Sequence, residues 1–409
     1  MKKKLWNKDF IVLLQSHGVS TIGDLMYSVA IGYWVYQQTE SSSLMGIMSS
    51  ISMFMTMFLS PICGSIVDKC NRKWLIVGID IMQGLLMLTV GILSYMNALN
   101  VPIVLITATL AAFGSVFYSP ATSTLMLDII PRDDMVRGQS IHQGVVSTIN
   151  LVGTAFSGVM VAFFGVPLVV VINGLSNLYA AASEMFVHVP KTIQQGTQVS
   201  VKGILKDTKT AIKTVFADPL MRLFVPGALI LNLLCAGAFS MLLPFCMEKE
   251  FPLEMHGYLG AVHTVAFLVG VVLLGAIKLK PKFRFWAMAI SFSLSEIFFI
   301  GTFLSNNFIP MCIFLFIGSF LNCIGNTIFG ACMMMALPEE NRSAILGFVS
   351  AASTGGVALS TLIYGFLGDV FPLYLVSTVG SALSIIPMIY FCFNHNMKDF
   401  VLNHGEQAE

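Results

Sequence analysis

The chain has 409 residues, of which 11% are Asp, Glu, Lys or Arg and 56% are hydrophobic, giving a mean hydropathy of +0.82. An average globular chain holds roughly 25% charged residues, so a set of soluble domains is excluded, because too little charge is available to cover their surface in water. The 22 basic and 21 acidic residues nearly cancel to a net charge of +1, which leaves no basic field for nucleic acid.

A hydrocarbon core takes about 20 apolar residues per helix. Long apolar stretches with at most one charged residue predict twelve helices, over 10–36, 44–67, 74–96, 102–129, 139–164, 167–187, 220–247, 256–277, 285–304, 308–335, 344–367 and 373–393. The longest uncharged stretches, Ile81–Leu127 and Gly138–Ser183, each hold two helices, divided by turn signals at 97–102 and 165–167. The runs are continuously apolar, whereas a membrane strand alternates. The expected fold class is therefore an all-α membrane protein with twelve transmembrane helices in two six-helix halves. The first helix does not read as a cleavable signal, since it is long, contains Asp24 and lacks a small-residue cleavage pattern.

With the amino terminus inside, every basic residue except Lys249 falls on the cytoplasmic side, as the retention of Lys and Arg in cytoplasmic loops requires. The expectation is a multi-pass protein of the cell membrane with both termini cytoplasmic. It divides into a bundle over 1–190, a linker over 191–218, a second bundle over 219–397 and a tail over 398–409. Within the connection, Val201, Ile204, Leu205, Ile212 and Val215 alternate with Lys202, Lys206, Lys209 and Lys213, a surface helix whose lysines snorkel to head groups. A shift of 205 residues puts Arg137 on Arg342 and Pro167 on Pro372, and one of 211 puts Gly64 on Gly275 and Lys69 on Lys280. These matches fit two parallel repeats with a site between them.

The loop after the second helix reads Gly64-Ser65-Ile66-Val67-Asp68-Lys69-Cys70-Asn71-Arg72-Lys73. It resembles the G-x-x-x-D-[RK]-x-x-R-[RK] signature of the major facilitator superfamily. The resemblance implies a conformational-switch cluster of Gly64, Asp68, Lys69, Arg72 and Lys73, with Asp128 as partner of Arg72. Ser119-Pro120-Ala121, the stretch Leu127–Asp134 and Thr39-Glu40-Ser41 are similar to the drug-efflux branch that includes macrolide exporters. That implies a proton-driven antiporter exporting amphipathic small molecules, a multidrug-resistance type of activity. Two positions depart from the antiporter pattern: Gly153–Gly158 has no Gly-Pro pair, and the fourth helix has no membrane Arg.

The predicted helices hold no Lys or Arg inside the bilayer, so an acid there is costly when ionised and is a functional candidate. Asp24 lies mid-helix with His17, Thr21 and Ser28 at helical spacing on its face. The reading that Asp24 loads and releases a proton, with His17 as relay, stands beside one in which a neighbouring hydroxyl ties the carboxyl for packing. Glu296 is the other deep acid, either a buried protonated carboxyl or a further proton-coupling candidate. Asp80 and Glu184 read as structural acids near cytoplasmic ends, within reach of water or head groups, and His263 either faces the cavity or is a hydrogen-bonded structural group. Thr21 and Ser28, with Gln143 and Asn150 on the fifth helix and Asn322 and Asn326 on the tenth, are substrate-cavity candidates. Neutral hydrogen-bonding groups suit an uncharged or weakly charged ligand, and 25 Met and 32 Phe suit a pliable apolar pocket.

There is no G-x-x-x-x-G-K-[ST] phosphate loop and no C-x-x-C pair among the eight Cys. The sequence therefore predicts no enzyme, no cofactor and no metal. The expected partners are a small-molecule substrate, protons and the lipid bilayer, with no nucleic acid, and the chain is expected to act as a monomer. Two alternatives stay open: an importer or facilitator of a nutrient or metabolite on the same fold, and a non-transporting membrane sensor or scaffold.

Overall fold

The computed structural model describes residues 5–67, 70–131, 134–188, 219–276, 281–336 and 342–393, and every regular element among them is helical. The helices are α1 (Lys8–Thr39), α2 (Ser42–Val67), α3 (Arg72–Tyr95), α4 (Val101–Ile129), α5 (Met135–Glu184), α6 (Pro219–Ser240) and α7 (Leu242–Glu248). They are followed by α8 (Leu253–Ala276), α9 (Pro281–Leu304), α10 (Phe308–Ala336), α11 (Arg342–Gly368) and α12 (Leu373–Phe393). The predicted amphipathic stretch 201–216, together with Asp68 and Lys69, lies outside the described residues.

Local chemistry sets the boundaries. Asn7, Asn71 and Asn100 cap α1, α3 and α4, each accepting from the backbone N–H three residues on, which satisfies a donor the first helical turn leaves open. Glu40 ends α1 in the left-handed region at φ 49°. The turn expected at 165–167 is a break inside α5, where Gly165 takes φ 72° and ψ 161° ahead of Pro167. Only glycine adopts that backbone without strain. The predicted span 220–247 is instead two pieces, α6 and α7, bent by 49°. Pro244 has no N–H for the carbonyl of Ser240, and its ring crowds that carbonyl, so the helix breaks there.

Nine helices among the described residues are long and apolar enough to cross a membrane, or ten when the bent α6–α7 pair is one span. α1 and the first part of α5 are absent from that set. Their sequences explain it, since His17, Thr21, Asp24 and Ser28 interrupt α1 while Gln139, His142, Gln143, Ser147 and Asn150 interrupt α5.

The described helices fall into two compact units, one of Met1–Glu40 with Ile51–Ile204 and one of Ser41–Ser50 with Leu205–Glu409. In the first, α5 packs along both α1 and α3, and α3 also meets α4. Its apolar core gathers Phe10, Leu13, Ile76, Leu125, Met126 and Ile129. In the second, α9 packs on α10 and α12, α6 on α11 and α12, and α8 on α10, around Phe245, Phe299, Phe303, Met311 and Leu315. The start of α2 belongs to this second unit, where Asp369 accepts from the backbone N–H of Ser42 and Ser43 at 2.6 and 3.1 Å.

Candidate functional site

The first unit encloses a cavity of about 350 Å³ walled by α1, α3, α4 and α5, and among the described residues Val146 is its one aliphatic lining residue. α1 contributes His17, Ser20, Thr21 and Asp24, positions three and four apart that share one helix face. Asp24 is exposed to this cavity rather than packed away. Its Oδ1 accepts a long 3.4 Å hydrogen bond from Asn177 Nδ2, whose closer acceptor is Asn173 Oδ1 at 2.9 Å. Among the described residues no cation pairs with Asp24, since the ion pairs are Arg72–Asp128 and His188–Asp9. His17 Nδ1 lies 2.9 Å from His142 Nε2, with the rings stacked at 5.0 Å. At that distance one ring donates and the other accepts, and Nδ1 of His142 has no partner among the described residues. Thr21 Oγ1 donates to the His17 carbonyl at 2.7 Å.

Beside this cavity, α5 ends in a second acid. Glu184 follows Asn173 by eleven residues and Asn177 by seven, so the three lie on the face of α5 turned into the bundle. Its Oε1 accepts from Ser16 Oγ at 3.0 Å and from Tyr118 OH at 3.1 Å. Glu184 is 0% and Asp80 1% exposed. The expectation that these two acids reach water or head groups is therefore corrected: four helices close over them.

The second unit holds a cavity of about 460 Å³ with a different lining, including Phe239, Phe292, Phe299, Phe329, Met288 and Met388. Glu296 on α9 lines it but is 2% exposed, and its Oε2 accepts from Ser384 Oγ at 2.9 Å and Cys235 Sγ at 3.6 Å. Asn322 and Asn326 on α10 also line it, joined by a 2.7 Å bond from Asn326 Nδ2 to Asn322 Oδ1. His263 does so too, with its Nδ1 2.8 Å from Ser319 Oγ.

The remaining predicted positions divide. Ser28 and Asn150 are exposed on α1 and α5 without lining either cavity, and the Gln143 side chain lies outside the described residues. The face of α5 in the cavity carries His142 and Val146, one position back from the predicted stripe. Gly64 lies in the last turns of α2. Arg72 Nη1 meets Asp128 Oδ2 at 2.8 Å, and Lys73 Nζ donates to the Met185 carbonyl at 2.7 Å. The sequence reading passed over His142, Asn173, Asn177 and Gln83. The spacing of four between Asn173 and Asn177, inside an uncharged run, was the signal available for that pair.

The sequence profile of the Major Facilitator Superfamily matches residues 13–294. The chain belongs to the Major Facilitator Superfamily. Macrolide efflux protein A of Streptococcus pyogenes is 20% identical over 186 residues, a match spanning 46% of either chain and so about half the length of that relative. The staphyloferrin A transporter of Staphylococcus aureus is 20% identical over 408 residues, 97% of both chains. A bacterial homologue of the human lysosomal transporter Spinster shares the fold at a TM-score of 0.71 and 14% identity, covering 99% of this chain and 98% of that one. The nucleoside transporter NupG does so at 0.73 and 10% identity, covering 94% and 98%. The superfamily is a class of integral membrane transporters rather than enzymes.

Proposed function

We propose that this superfamily member is a proton-coupled secondary exporter of amphipathic small molecules. Twelve spans form two six-helix bundles over 1–190 and 219–397, both termini are cytoplasmic, and access alternates between the two sides of the membrane. The observation that carries the reading is Asp24, a carboxyl in mid-helix that faces a polar cavity and has no cation beside it among the described residues. An ionisable group at membrane depth is costly unless it does something there, and Asp24 has the wet surroundings a group needs to gain and lose a proton. His17 and His142, sharing a hydrogen bond in the same cavity, are suited to pass that proton on. The aromatic and methionine lining around Glu296, Asn322 and Asn326 suits ligands of varied shape with a few polar groups. The Arg72–Asp128 pair, with the Asp68–Lys73 motif, acts as a conformational switch that favours one access state.

The test is flux in proteoliposomes with an imposed pH gradient, over a panel of amphipathic drugs and metabolites. An outward drug flux that follows the gradient and is lost in Asp24→Asn supports the reading. Asp24→Asn transport with unchanged gradient dependence removes the proton role, and strictly inward flux makes the protein an importer.

A further inference from the structure

Phe292, Glu296 and Phe299 are four and three residues apart on α9 and line the same cavity, so one helix face carries an acid between two rings. The backbone of α10 fixes both rings. A Cβ at Gly325 would stand 2.7 Å from Phe292 Cε1, and one at Gly318 2.8 Å from Phe299 Cε1, so each ring lies where a glycine leaves room for it. Phe239 of α6 meets Phe299 edge-on, with centroids 4.9 Å apart at 81°. Glu296 itself is half satisfied. Ser384 and Cys235 both donate to Oε2, whereas Oε1 takes no hydrogen bond among the described residues and is not sealed in by its neighbours, which makes it the oxygen open to the cavity. A hydroxyl and a thiol bring no positive charge. Among the described residues no Lys or Arg lines the cavity and no ion pair includes Glu296. A buried carboxylate so placed lacks a counter-ion, and aromatic faces attract a cation where they do nothing for an anion.

We propose that this cavity selects amphipathic organic cations, ammonium or phosphonium ions with bulky apolar substituents, and that Glu296 is the specificity-determining residue. The cationic centre meets Glu296 Oε1 between Phe292 and Phe299, and the apolar body fills the space lined by Phe329, Met288 and Met388. Asn322 and Asn326 alone suit an uncharged ligand; Glu296 adds the charge that separates a cation from a neutral molecule of the same shape. The neutral molecule gains the apolar contacts only, and an anion is repelled by the carboxylate. The inference rests on the reading of the second cavity as the ligand site, and neither proton coupling nor export is needed for it.

Three probes of similar bulk and fixed charge separate the cases: tetraphenylphosphonium, a cation; triphenylphosphine oxide, neutral; and tetraphenylborate, an anion. Equilibrium binding to the full-length protein in lipid nanodiscs, corrected for uptake by empty nanodiscs, is expected to rank the cation first and the borate last. Glu296→Gln should weaken the cation about thirtyfold, the scale on which losing one partner of a buried charge pair acts. The phosphine oxide should bind that variant near the wild-type affinity, which shows the cavity intact. Phe292→Leu keeps the acid and should weaken the cation several-fold, with less effect on the neutral probe. Asp24→Asn, which alters the acid of the other cavity, should keep the ranking. The proposal is overturned if the wild type binds none of the three or does not prefer the cation. It is equally overturned if Glu296→Gln weakens cation and neutral probe alike, or if the preference disappears in Asp24→Asn instead. Flux that runs strictly inward or ignores the pH gradient removes the exporter reading and leaves the cation preference standing, so the two fail separately.

Discussion

The two cavities each present a deep acid, Asp24 in one and Glu296 in the other, and surround it in opposite ways. In the first unit, Asp24 shares its walls with two imidazoles, a second carboxyl and a row of hydroxyls. In the second, Glu296 is set among phenylalanines and methionines, with a hydroxyl and a thiol donating to a single oxygen. A carboxyl that cycles its proton needs polar contacts and water in both states, while one embedded in an aromatic wall is better placed to meet the apolar body of a ligand. Under the proposed function, coupling falls to the first unit and ligand shape to the second. The sharpest way to break that assignment is a paired substitution. Asp24→Asn should lower gradient-driven flux by about a hundredfold, the scale on which a positioned proton-transfer group acts, and leave ligand affinity near wild type. Glu296→Gln should do the reverse, changing affinity across the drug panel while flux keeps its dependence on the gradient. Equal loss of coupling in both variants, read in the same vesicles, would erase the distinction.

The polar cavity also depends on how closely its helices approach. Gly84 of α3 and Gly174 of α5 meet backbone to backbone, and a Cβ at Gly174 would stand 2.9 Å from the Leu88 nitrogen and 3.0 Å from the Gly84 carbonyl oxygen. Main-chain atoms inside a helix cannot step aside as a flexible side chain can. Gly174→Val is therefore expected to destabilise the first unit by about 3 kcal/mol, at the upper end for overpacking. Thermal unfolding in detergent measures the loss, and drug binding to the second unit's cavity in the surviving folded protein should change little. Asp128→Asn comes next. It removes the charge opposite Arg72 but keeps a hydrogen-bonding side chain, so a cost of about 1 kcal/mol and a several-fold slower turnover with normal membrane insertion are expected. Turnover at the wild-type rate would deprive the Arg72–Asp128 pair of its switching role.

Hydropathy located most helices to within a few residues, because a long apolar run bounded by Asn, Gly or Pro has few other folds open to it. The weakest signals came from α1 and the first part of α5, and these helices line the polar cavity. The polar residues that build the cavity dilute the apolar pattern that marks a span. The α1 face was legible because His17, Thr21 and Asp24 repeat at helical spacing in one short segment. On α5 the predicted stripe through Gln143 and Asn150 missed the face carrying His142, since a helix with polar residues on several sides does not announce which one turns inward. Asp80 and Glu184 were misjudged for another reason. Distance from a helix end fixes depth along the axis, but burial depends on which neighbours cover that end, and Ser16 and Tyr118 are 168 and 66 residues away from Glu184 in the chain. The bend at Met241 was present in the sequence as Pro244, read through as an ordinary residue of one span.

The smallest expected effect lies in the second unit, at the start of α2. Partial burial alone would raise the Asp369 carboxyl, but hydrogen bonds from Ser43, Ser41 and the backbone of Ser42 hold it below its ordinary value. A depressed carboxyl stabilises the folded state fully at pH above the unfolded value, near 3.9, and loses that contribution as pH falls through the folded one. The site is exposed to solvent and the carboxylate sits at a helix N-terminus, so its worth after screening is about 0.5 kcal/mol. Asp369→Asn should accordingly melt slightly below wild type at neutral pH, and the gap should close on acidification below about pH 4. Because the first unit is not involved, the variant should leave the gradient dependence of flux untouched. A shift in coupling as large as that of Asp24→Asn would mean that proton sensing is not confined to the polar cavity.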